Sequence, residues 1–245
     1  MDKEKKIECL KKILDESQYT VILSGSGMMA ESGYLGIKTA QKAYEIEKTY
    51  GESPEDIFTS VYYNNRPAQF FEFYRQEMLK GDVEPSDSFR VAARMEQQGK
   101  LKCIITSNIY ELPQKAGCRN VINLHGSIYE NICPHCGTKY SLDYVKNTKK
   151  VPLCKKCSRV IRPQVALFGE MMDSQLMTKA TLEIENADVL LLLGTTLDSE
   201  VFSKYVKYFE GNSLVVIHKE YHHSDDKADL AIWDEPKNVL TELGY

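Results

Sequence analysis

Long hydrophobic runs are missing from this sequence. The longest, Val189 to Leu193, is far shorter than the roughly 20 apolar residues that a membrane-spanning helix needs. Residues Met1 to Lys6 are mostly charged and precede no apolar core, so we expect no secretory signal peptide. Both absences predict a soluble protein of the cytoplasm.

An excess of basic residues is missing as well. Lysine and arginine number 31 against 35 aspartates and glutamates, which gives a formal net charge of −4. Proteins that bind nucleic acid or anionic membranes in a general way carry strongly basic surfaces. We therefore expect no direct nucleic-acid partner and no membrane partner.

Several common catalytic motifs are also missing. The chain has no P-loop, no HExxH pattern and no Ser/His/Asp pattern. It has no internal repeat and no low-complexity tract either. At 245 residues it is long enough for one large domain or two modest ones, with ample material for a buried core.

Cysteine carries the most specific signal in the sequence. Four of the seven cysteines form two CxxC pairs at the separation that is typical of a four-thiolate zinc site. Two disulfides or four free thiols are the alternatives. The predicted zinc ligands are Cys133, Cys136, Cys154 and Cys157. The remaining thiols, at Cys9, Cys103 and Cys118, fit a reducing compartment.

Short apolar runs predict the strands of a parallel sheet. They are continuous rather than alternating, as expected of strands that are covered on both faces. Helical patterns lie between most of them, which predicts an α/β fold with a doubly wound, Rossmann-like sheet. The predicted strands are 20–24, 103–106, 121–124, 189–193, 214–217 and 230–232, and the predicted helices are 3–17, 86–98, 173–186 and 198–209.

Two insertions interrupt the predicted sheet domain. Residues 34–80 contain no convincing strand and many aromatics, so we predict a helical insertion whose aromatic rings pack together rather than line a ligand site. Residues 128–162 form the zinc module. The two insertions make a smaller domain, and the segments 1–33, 81–127 and 163–245 make the sheet domain.

A glycine-rich loop follows the first predicted strand. Gly25, Gly27 and Ala30 fit the pattern G-x-G-x-x-A, in which glycine lets the backbone turn tightly and approach a pyrophosphate. The acidic residue that ordinary dinucleotide sites carry about 20 residues further on is missing. Dinucleotide binding and a purely structural turn both remain open on this motif alone.

Polar residues follow several predicted strands at the carboxyl edge of the sheet, where open α/β sheets bind their ligands. Asn108 follows the second strand, and His125, which is either structural or catalytic, follows the third. His218, His222 and His223 follow the fifth strand. An extended backbone would point His222 and His223 to opposite faces, which disfavours a metal site there.

Taken together, these motifs resemble the sirtuins, the NAD-dependent protein deacylases, over nearly the whole chain. The likeness covers residues 25–38, Thr106–Tyr110, His125–Gly126, Arg162–Glu170 and Gly194–Leu197, with the four-cysteine module at the expected place. The resemblance implies that NAD binds across the strand ends and that an acyl-lysine protein or peptide enters beside it. Nicotinamide, free lysine and an O-acyl-ADP-ribose would be the products.

The resemblance also implies roles for individual residues. His125 would be the general base that acts on a ribose hydroxyl, and Asn108 would bond to the ribose or to a water in the site. The zinc ion would be structural, because four thiolates leave it no open position. The implied NAD contacts are Gly25, Ser26, Gly27, Glu31, Lys38, Ser107, Tyr110, Gly194, Thr195, Thr196 and His218. The implied strand that pairs with the substrate peptide contains Val165, Leu167, Phe168 and Gly169.

Departures from the family fall at the nicotinamide end. Family members carry Pro-Asp-Phe-Arg where this chain has Leu35 to Lys38, and lysine keeps the charge of arginine without its planar fork. Ser107 replaces a glutamine, and Tyr110 replaces the aspartate that accepts a hydrogen bond from nicotinamide. The loss of one such bond would cost about 1.5–3 kcal/mol.

Three functions are compatible with these observations. An NAD-dependent protein-lysine deacylase is favoured because His125, Asn108 and the peptide strand are retained together. A protein that binds NAD or ADP-ribose without efficient turnover is the first alternative, since the nicotinamide end is altered. An ADP-ribosyltransferase is the second alternative, although sirtuin variants of that kind tend to lack the histidine that this chain keeps.

Overall fold

The structure is a computed structural model and describes residues 2–79, 81 and 83–245. Met1, Lys80 and Asp82, which belong to the predicted segments 1–33, 34–80 and 81–127, lie outside the described residues. Within the described ranges, no helix is both long and apolar enough to cross a membrane.

The chain divides into two compact units, which we call the sheet unit and the small unit. The sheet unit comprises Met1–Tyr34, Val83–Leu124 and Asp173–Tyr245. The small unit comprises Leu35–Asp82 and His125–Met172.

The helices and strands have the following bounds. The strands are β1 (Thr20–Ser24), β2 (Cys103–Thr106), β3 (Val121–Asn123), β4 (Gly126–Ile132), β5 (Lys139–Tyr140), β6 (Arg162–Val165), β7 (Val189–Leu193), β8 (Ser213–His218) and β9 (Leu230–Trp233). The helices are α1 (Lys3–Glu16), α2 (Ser26–Glu31), α3 (Ala40–Tyr50), α4 (Pro54–Ile57), α5 (Ser60–Asn65), α6 (Pro67–Phe73), α7 (Asp87–Gln97), α8 (Leu112–Ala116), α9 (Leu142–Asn147), α10 (Ser174–Glu185), α11 (Ser203–Val206) and α12 (Pro236–Glu242). Tyr74–Met78 form a π-helical turn and His223–Lys227 a 3₁₀ turn.

The sheet unit is built on parallel strands in the order β3-β2-β1-β7-β8-β9. The chain runs outward from β1 to β3 and then continues on the other side of β1, which is the doubly wound order. Ile22 of β1 pairs with Ile104 of β2 on one side and with Leu191 of β7 on the other, and all three are buried. This strand order confirms the predicted fold class. The buried apolar residues of the strands agree with a sheet that is covered on both faces.

Three of the four predicted helices form close to their predicted bounds, as α1, α7 and α10. The fourth, predicted to run from Asp198 to Phe209, is wrong over most of its length, since only α11 is helical there. The side chain that accepts a backbone N–H ahead of α11 is Ser199 and not Asp198: its hydroxyl accepts the Phe202 N–H at 3.1 Å. The residues before α11 therefore form turns at the end of β7.

The helical insertion of the small unit contains α3 to α6 and the π-helical turn, as predicted. Its aromatic side chains form a common cluster. The rings of Phe58, Phe70, Phe73 and Tyr74 have centroid separations between 5.8 and 6.3 Å. This packing agrees with the interpretation of the aromatics as a core.

The other half of the small unit is an antiparallel sheet in the order β5-β4-β6. Gly126 in β4 pairs with Val165 in β6, so the segments on both sides of the zinc module belong to the same sheet. For this reason residues 125–127 and 163–172 lie in the small unit, whereas the predicted boundaries placed them in the sheet domain.

Candidate active site

Two glycine loops of the sheet unit meet at the carboxyl ends of β1 and β7. The Gly25 N–H donates to the Leu193 carbonyl at 2.9 Å. The Gly27 N–H donates to the Gly194 carbonyl, also at 2.9 Å. A Cβ at Gly25 would lie 2.7 Å from the Gly194 carbonyl oxygen, and one at Gly27 would lie 2.7 Å from Gly194 Cα. Because neither position has room for a side chain, these glycines are required by the contact between the two loops.

Both loops line a cavity of about 410 Å³ in the sheet unit. The cavity brings together many of the predicted NAD contacts, namely Gly25, Ser26, Ser107, Gly194, Thr195, Thr196 and His218. Sequence reasoning missed another part of the lining, Ser199 to Phe202, because it assigned this segment to a helix. Gly194 directly after this buried strand, with Ser199 a few residues further on, would have been the signal to expect a loop there.

His218 reaches this cavity with one ring nitrogen held by a buried carboxylate. Its Nε2 lies 2.9 Å from Asp225 Oδ1, and the other carboxylate oxygen accepts the His222 N–H and the Trp233 Nε1–H. Burial disfavours the charge on Asp225, but these hydrogen bonds lower the pKa of its carboxyl below the ordinary value. This contact between Asp225 and His218 Nε2 orients the imidazole ring at the edge of the cavity.

Glu31, a predicted NAD contact, is held by other parts of the sheet unit. Its carboxylate accepts hydrogen bonds from the hydroxyls of Ser86 and Ser88 and from the Lys237 N–H. Burial raises the pKa of Glu31, against the effect of these hydrogen bonds. The residue thus joins the end of α2 to the starts of α7 and α12, and a direct contact with NAD stays a prediction.

Asn108 is buried at the end of β2, with an exposed fraction of 1%. Its backbone N–H donates to Thr106 Oγ1 at 3.0 Å, and its Oδ1 accepts the Tyr110 N–H at 2.5 Å. Among the described residues, its Nδ2 has no hydrogen-bond partner. A buried donor without a partner costs about 1–3 kcal/mol, so a polar ligand group or a bound water would be stabilised at this position.

Tyr110 is also buried, and its ring lies against the ring of Tyr34. The two ring centroids are 4.6 Å apart, with an angle of 53° between the planes. Tyr34 belongs to the sheet unit and directly precedes the altered segment Leu35 to Lys38. Sequence reasoning did not single out Tyr34, because only the folded chain brings it to Tyr110. We call these two residues the tyrosine pair.

His125 belongs to the small unit, where it directly precedes β4 and is half-buried. Its carbonyl accepts the Ala166 N–H at 2.9 Å. The next residue, Gly126, has a φ of 74°, and a Cβ there would overlap the Gln164 carbonyl oxygen. Glycine is therefore required where β4 meets β6, and this close pairing fixes the backbone on which His125 is carried.

The predicted peptide-binding segment, Val165 to Gly169, begins at the last residue of β6 in the small unit. Arg162 and Glu170 at the two ends of its motif form an ion pair at 2.7 Å. Glu170 also accepts the Leu167 N–H at 2.9 Å, and the Phe168 N–H donates to a carbonyl of the helical insertion. Because these donors are engaged within the unit, pairing with a substrate peptide would depend on other backbone groups, and this role stays a prediction.

The altered segment Leu35 to Lys38 begins the small unit. Ile37 is buried, and Lys38 Nζ lies 5.0 Å from the centre of the Phe168 ring. A lysine over an aromatic face is a favourable cation–π arrangement. Lys38 therefore contacts the predicted peptide-binding segment, and its predicted contact with NAD stays a prediction.

The four cysteines of the CxxC pairs lie together in the small unit, with all sulfurs within 4.8 Å of one another. The Sγ–Sγ distance is 3.4 Å between Cys133 and Cys157 and 3.5 Å between Cys136 and Cys154. A tetrahedral zinc ion with Zn–S bonds of about 2.3 Å separates its sulfurs by about 3.8 Å. The cluster therefore fits a structural zinc ion that is held by four thiolates.

Hydrogen bonds set the pKa values of these thiols apart. The Tyr140 hydroxyl, 3.2 Å from Cys154 Sγ, lowers the pKa of Cys154 to about 5, and Thr138 lowers the pKa of Cys136. A backbone hydrogen bond favours the Cys157 thiolate, but burial and the neighbouring thiols raise its pKa to about 12. Four thiolates at such short distances need a positive charge between them, and zinc supplies it.

Known proteins resemble this chain in both sequence and structure. The model of the Sir2 family matches residues 25–201. The NAD-dependent protein deacetylase of Clostridium acetobutylicum is 37% identical over 236 residues, which cover 96% of each chain. A solved Sir2 homologue mutant in complex with ADP-ribose is 29% identical, with a TM-score of 0.83 over 99% of this chain and 95% of that one. A Sir2 protein bound to an acetylated peptide is 25% identical, with a TM-score of 0.82 over 97% and 96%.

Proposed function

Because the chain belongs to the Sir2 family, we propose that it is an NAD-dependent protein-lysine deacylase. The reaction consumes NAD, an acyl-lysine side chain and water, and it yields nicotinamide, free lysine and an O-acyl-ADP-ribose. The observation that carries this proposal is the cavity of the sheet unit, to which both glycine loops, Ser107 and His218 contribute.

The groups that line this cavity fit the ADP-ribose half of NAD. Hydroxyl groups of Ser26, Ser107, Thr195 and Thr196 can donate hydrogen bonds to phosphate and ribose oxygens. Glu200 is an acceptor that suits a ribose hydroxyl. The glycines keep side chains out of the loops, so the backbone can approach a pyrophosphate closely.

The catalytic groups in this proposal are Asn108 and His125. NAD supplies the ribose carbon that releases nicotinamide and takes up the acyl oxygen. The Nδ2 of Asn108, which has no partner among the described residues, donates to a ribose oxygen or to a site water, and this bond offsets the cost of its burial. His125 removes a proton from a ribose hydroxyl, and general-base catalysis of this kind contributes about 10²–10⁴-fold in rate.

The proposed partner is a protein or peptide that carries an acyl-lysine. Its backbone would pair with the segment Val165 to Gly169, a mode that tolerates many sequences. The similarity to a Sir2 protein bound to an acetylated peptide supports this assignment. The proposed location is the cytoplasm, supported by free thiols at Cys9, Cys103 and Cys118. The net charge of −4 supports the absence of nucleic-acid and membrane partners from the proposal.

One observation favours a second function, the binding of NAD or ADP-ribose without efficient turnover. Tyr110 stands where sirtuins carry the aspartate that bonds to nicotinamide, and its buried ring packs on Tyr34. A phenol offers no negative charge to the amide of nicotinamide. The weaker hold on the leaving group would lower turnover without affecting the ADP-ribose end.

A release assay distinguishes the two functions. The zinc-loaded protein is incubated with NAD and a panel of acyl-lysine peptides, and nicotinamide is measured. A deacylase should release nicotinamide only with peptide present, and His125→Ala should lower that rate by about 10²–10⁴-fold. ADP-ribose binding, measured by calorimetry, should be the same in both proteins.

The result of this assay decides between the two proposed functions or contradicts them. Binding of ADP-ribose without peptide-dependent release would leave the binding protein as the function. Release that is unchanged in His125→Ala would contradict the assigned mechanism. Failure of both release and ADP-ribose binding in a folded, zinc-loaded protein would overturn both functions.

A further inference from the structure

Asp198, His222 and His223 of the sheet unit form a second cluster of metal-ligating side chains. Each residue places one ligand atom so that all three atoms lie within 4.8 Å of one another. His223 Nε2 lies 3.0 Å from Asp198 Oδ2, and the two imidazole rings have centroids 4.1 Å apart. The proposed deacylase mechanism uses none of these residues.

The backbone explains why neighbouring histidines point the same way. An extended chain would place His222 and His223 on opposite faces, and on this ground the sequence disfavours a metal site. The structure differs, because the chain bends between the two residues. His222 has extended backbone angles of −129° and 142°, whereas His223 begins the 3₁₀ turn. The bend brings both imidazoles beside Asp198.

The geometry suits a zinc-sized ion. Zinc binds imidazole nitrogen and carboxylate oxygen at about 2.0–2.2 Å, so ligand atoms of a tetrahedral site lie about 3.4 Å apart. The distance of 3.0 Å between His223 Nε2 and Asp198 Oδ2 is close to that value. The third ligand atom, a ring nitrogen of His222, lies within 4.8 Å of the other two. Two imidazoles and one carboxylate also suit other first-row transition metals.

His222 is held in place by its neighbours in the 3₁₀ turn. Its backbone N–H donates to Asp225 Oδ2 at 2.9 Å, and its Nδ1 lies 2.8 Å from Ser224 Oγ. The Ser224 N–H also approaches Nδ1, at 3.2 Å. If Nδ1–H donates to the Ser224 hydroxyl, Nε2 keeps a lone pair for a metal and only the longer contact is lost. Outer partners of this kind orient histidine ligands in many metal sites.

We propose that Asp198, His222 and His223 bind a divalent transition-metal ion such as zinc. Three protein ligands leave a tetrahedral ion one position for water. Asp198 directly precedes Ser199 to Phe202 in the sequence, and these four residues line the cavity that is proposed to bind NAD. The ion would therefore be bound beside the start of this lining segment. The metal-site proposal does not rest on the deacylase function, because none of the three ligands takes part in the proposed reaction.

Zinc titration tests the proposal. Protein that carries one zinc ion per chain, verified by metal analysis, is titrated with Zn²⁺ in a calorimeter. We expect a second equivalent to bind, and we expect Asp198→Asn and His223→Ala each to weaken this second site at least tenfold. Asp226→Asn is the matched control, since Asp226 is an exposed carboxylate on the same 3₁₀ turn. It should leave the second site unchanged.

In the titration, two results would overturn the proposal. One is the absence of a second equivalent up to about 1 mM zinc, the range of very weak binding, which would make the cluster a surface ion pair only. The other is a second site that persists in both Asp198→Asn and His223→Ala. Nitrogen-15 imidazole spectra of the unaltered protein give an independent readout, in which zinc should shift His222 and His223. A shift confined to the exposed His135 would indicate adventitious binding and contradict the proposal.

Discussion

By the resemblance to the sirtuins, the loops after β1 and β7 keep the family's glycines, whereas the loop after β2 carries Tyr110 in place of the family's aspartate. In the first region, which we call the glycine-loop end, backbone meets backbone, because Gly25 and Gly27 contact Gly194 without space for a Cβ. At the tyrosine pair, side chain meets side chain, because the ring of Tyr110 packs on that of Tyr34 at 4.6 Å. Both regions belong to the sheet unit.

The difference explains why one region can change while the other cannot. Contacts between main chains have a fixed shape, so any side chain at Gly27 must displace backbone. Aromatic rings can exchange partners and still bury similar areas. Tyr110 is one of the departures that the resemblance to the sirtuins identifies, and its ring contacts that of Tyr34. The tyrosine at position 110 is thus accommodated by packing against a second tyrosine.

The largest expected effect comes from Gly27→Ala at the glycine-loop end. The new Cβ would lie 2.7 Å from Gly194 Cα, so the two loops must move apart. Overpacking of this kind costs about 1–3 kcal/mol, and the cavity changes shape with it. We expect ADP-ribose affinity to fall at least tenfold and the free energy of unfolding to fall by about 1–3 kcal/mol. Calorimetry and urea unfolding measure the two quantities.

Gly36→Ala is the control for this variant. A Cβ at Gly36 meets no described atom within 4 Å, and Gly36 belongs to the small unit. ADP-ribose affinity and stability should therefore change little. Equal losses in the two variants would show that the loop contact at Gly27 is not the cause.

Tyr110→Asp should strengthen inhibition by nicotinamide about tenfold. A carboxylate at this position could accept the hydrogen bond that the resemblance assigns to the family's aspartate, and a bond to a charged group contributes about 1.5–3 kcal/mol. Inhibition is measured in the peptide deacylation assay, with ADP-ribose binding as a check on the glycine-loop end. Tyr110→Phe keeps the ring without a carboxylate and should not increase inhibition. Unchanged inhibition in a folded Tyr110→Asp protein would place nicotinamide away from residue 110.

The smallest expected effect is a pH dependence at Glu31, which follows the glycine loop on α2. Burial raises the pKa of this carboxyl above its ordinary value of 4.5, although hydrogen bonds from Ser88, Lys237 and Ser86 oppose the shift. A raised pKa means that the protonated group stabilises the fold below pH 4.5 and that this stability is lost as the pH rises through the folded-state pKa. Glu31→Gln removes this dependence.

The measurement is urea unfolding of both proteins at several pH values from about 4 upward. The stability of the unaltered protein relative to Glu31→Gln should fall as the pH rises. Parallel pH curves for the two proteins would contradict a raised pKa at Glu31.

Local patterns were sufficient for the main features of the fold. The apolar runs Thr20–Ser24, Cys103–Thr106 and Val189–Leu193 coincide with β1, β2 and β7. The two CxxC pairs come together with sulfur distances that fit zinc. Such signals are reliable because periodicity and ligand spacing act over short stretches of chain.

Other features depend on contacts between distant parts of the chain. The helix predicted from Asp198 is replaced by turns, because Ser199 accepts the Phe202 N–H ahead of α11 and Ser199 to Phe202 line a cavity. The pairing of Gly126 with Val165 moves the segments beside the zinc module into the small unit. No local pattern reveals which strand a segment joins, since strand pairing depends on residues far away in the sequence.

The sequence by itself therefore determined the fold class, the zinc cluster and the family. Each depends on residue types at short spacings in the sequence, and such patterns can be recognised without knowledge of the tertiary contacts. The tertiary structure alone decided that Tyr110 packs on Tyr34, that Glu31 is held by α7 and α12, and that His222 and His223 meet Asp198. These outcomes depend on the conformation of the loops and on contacts between side chains that are distant in the sequence. Both are determined only when the whole chain folds.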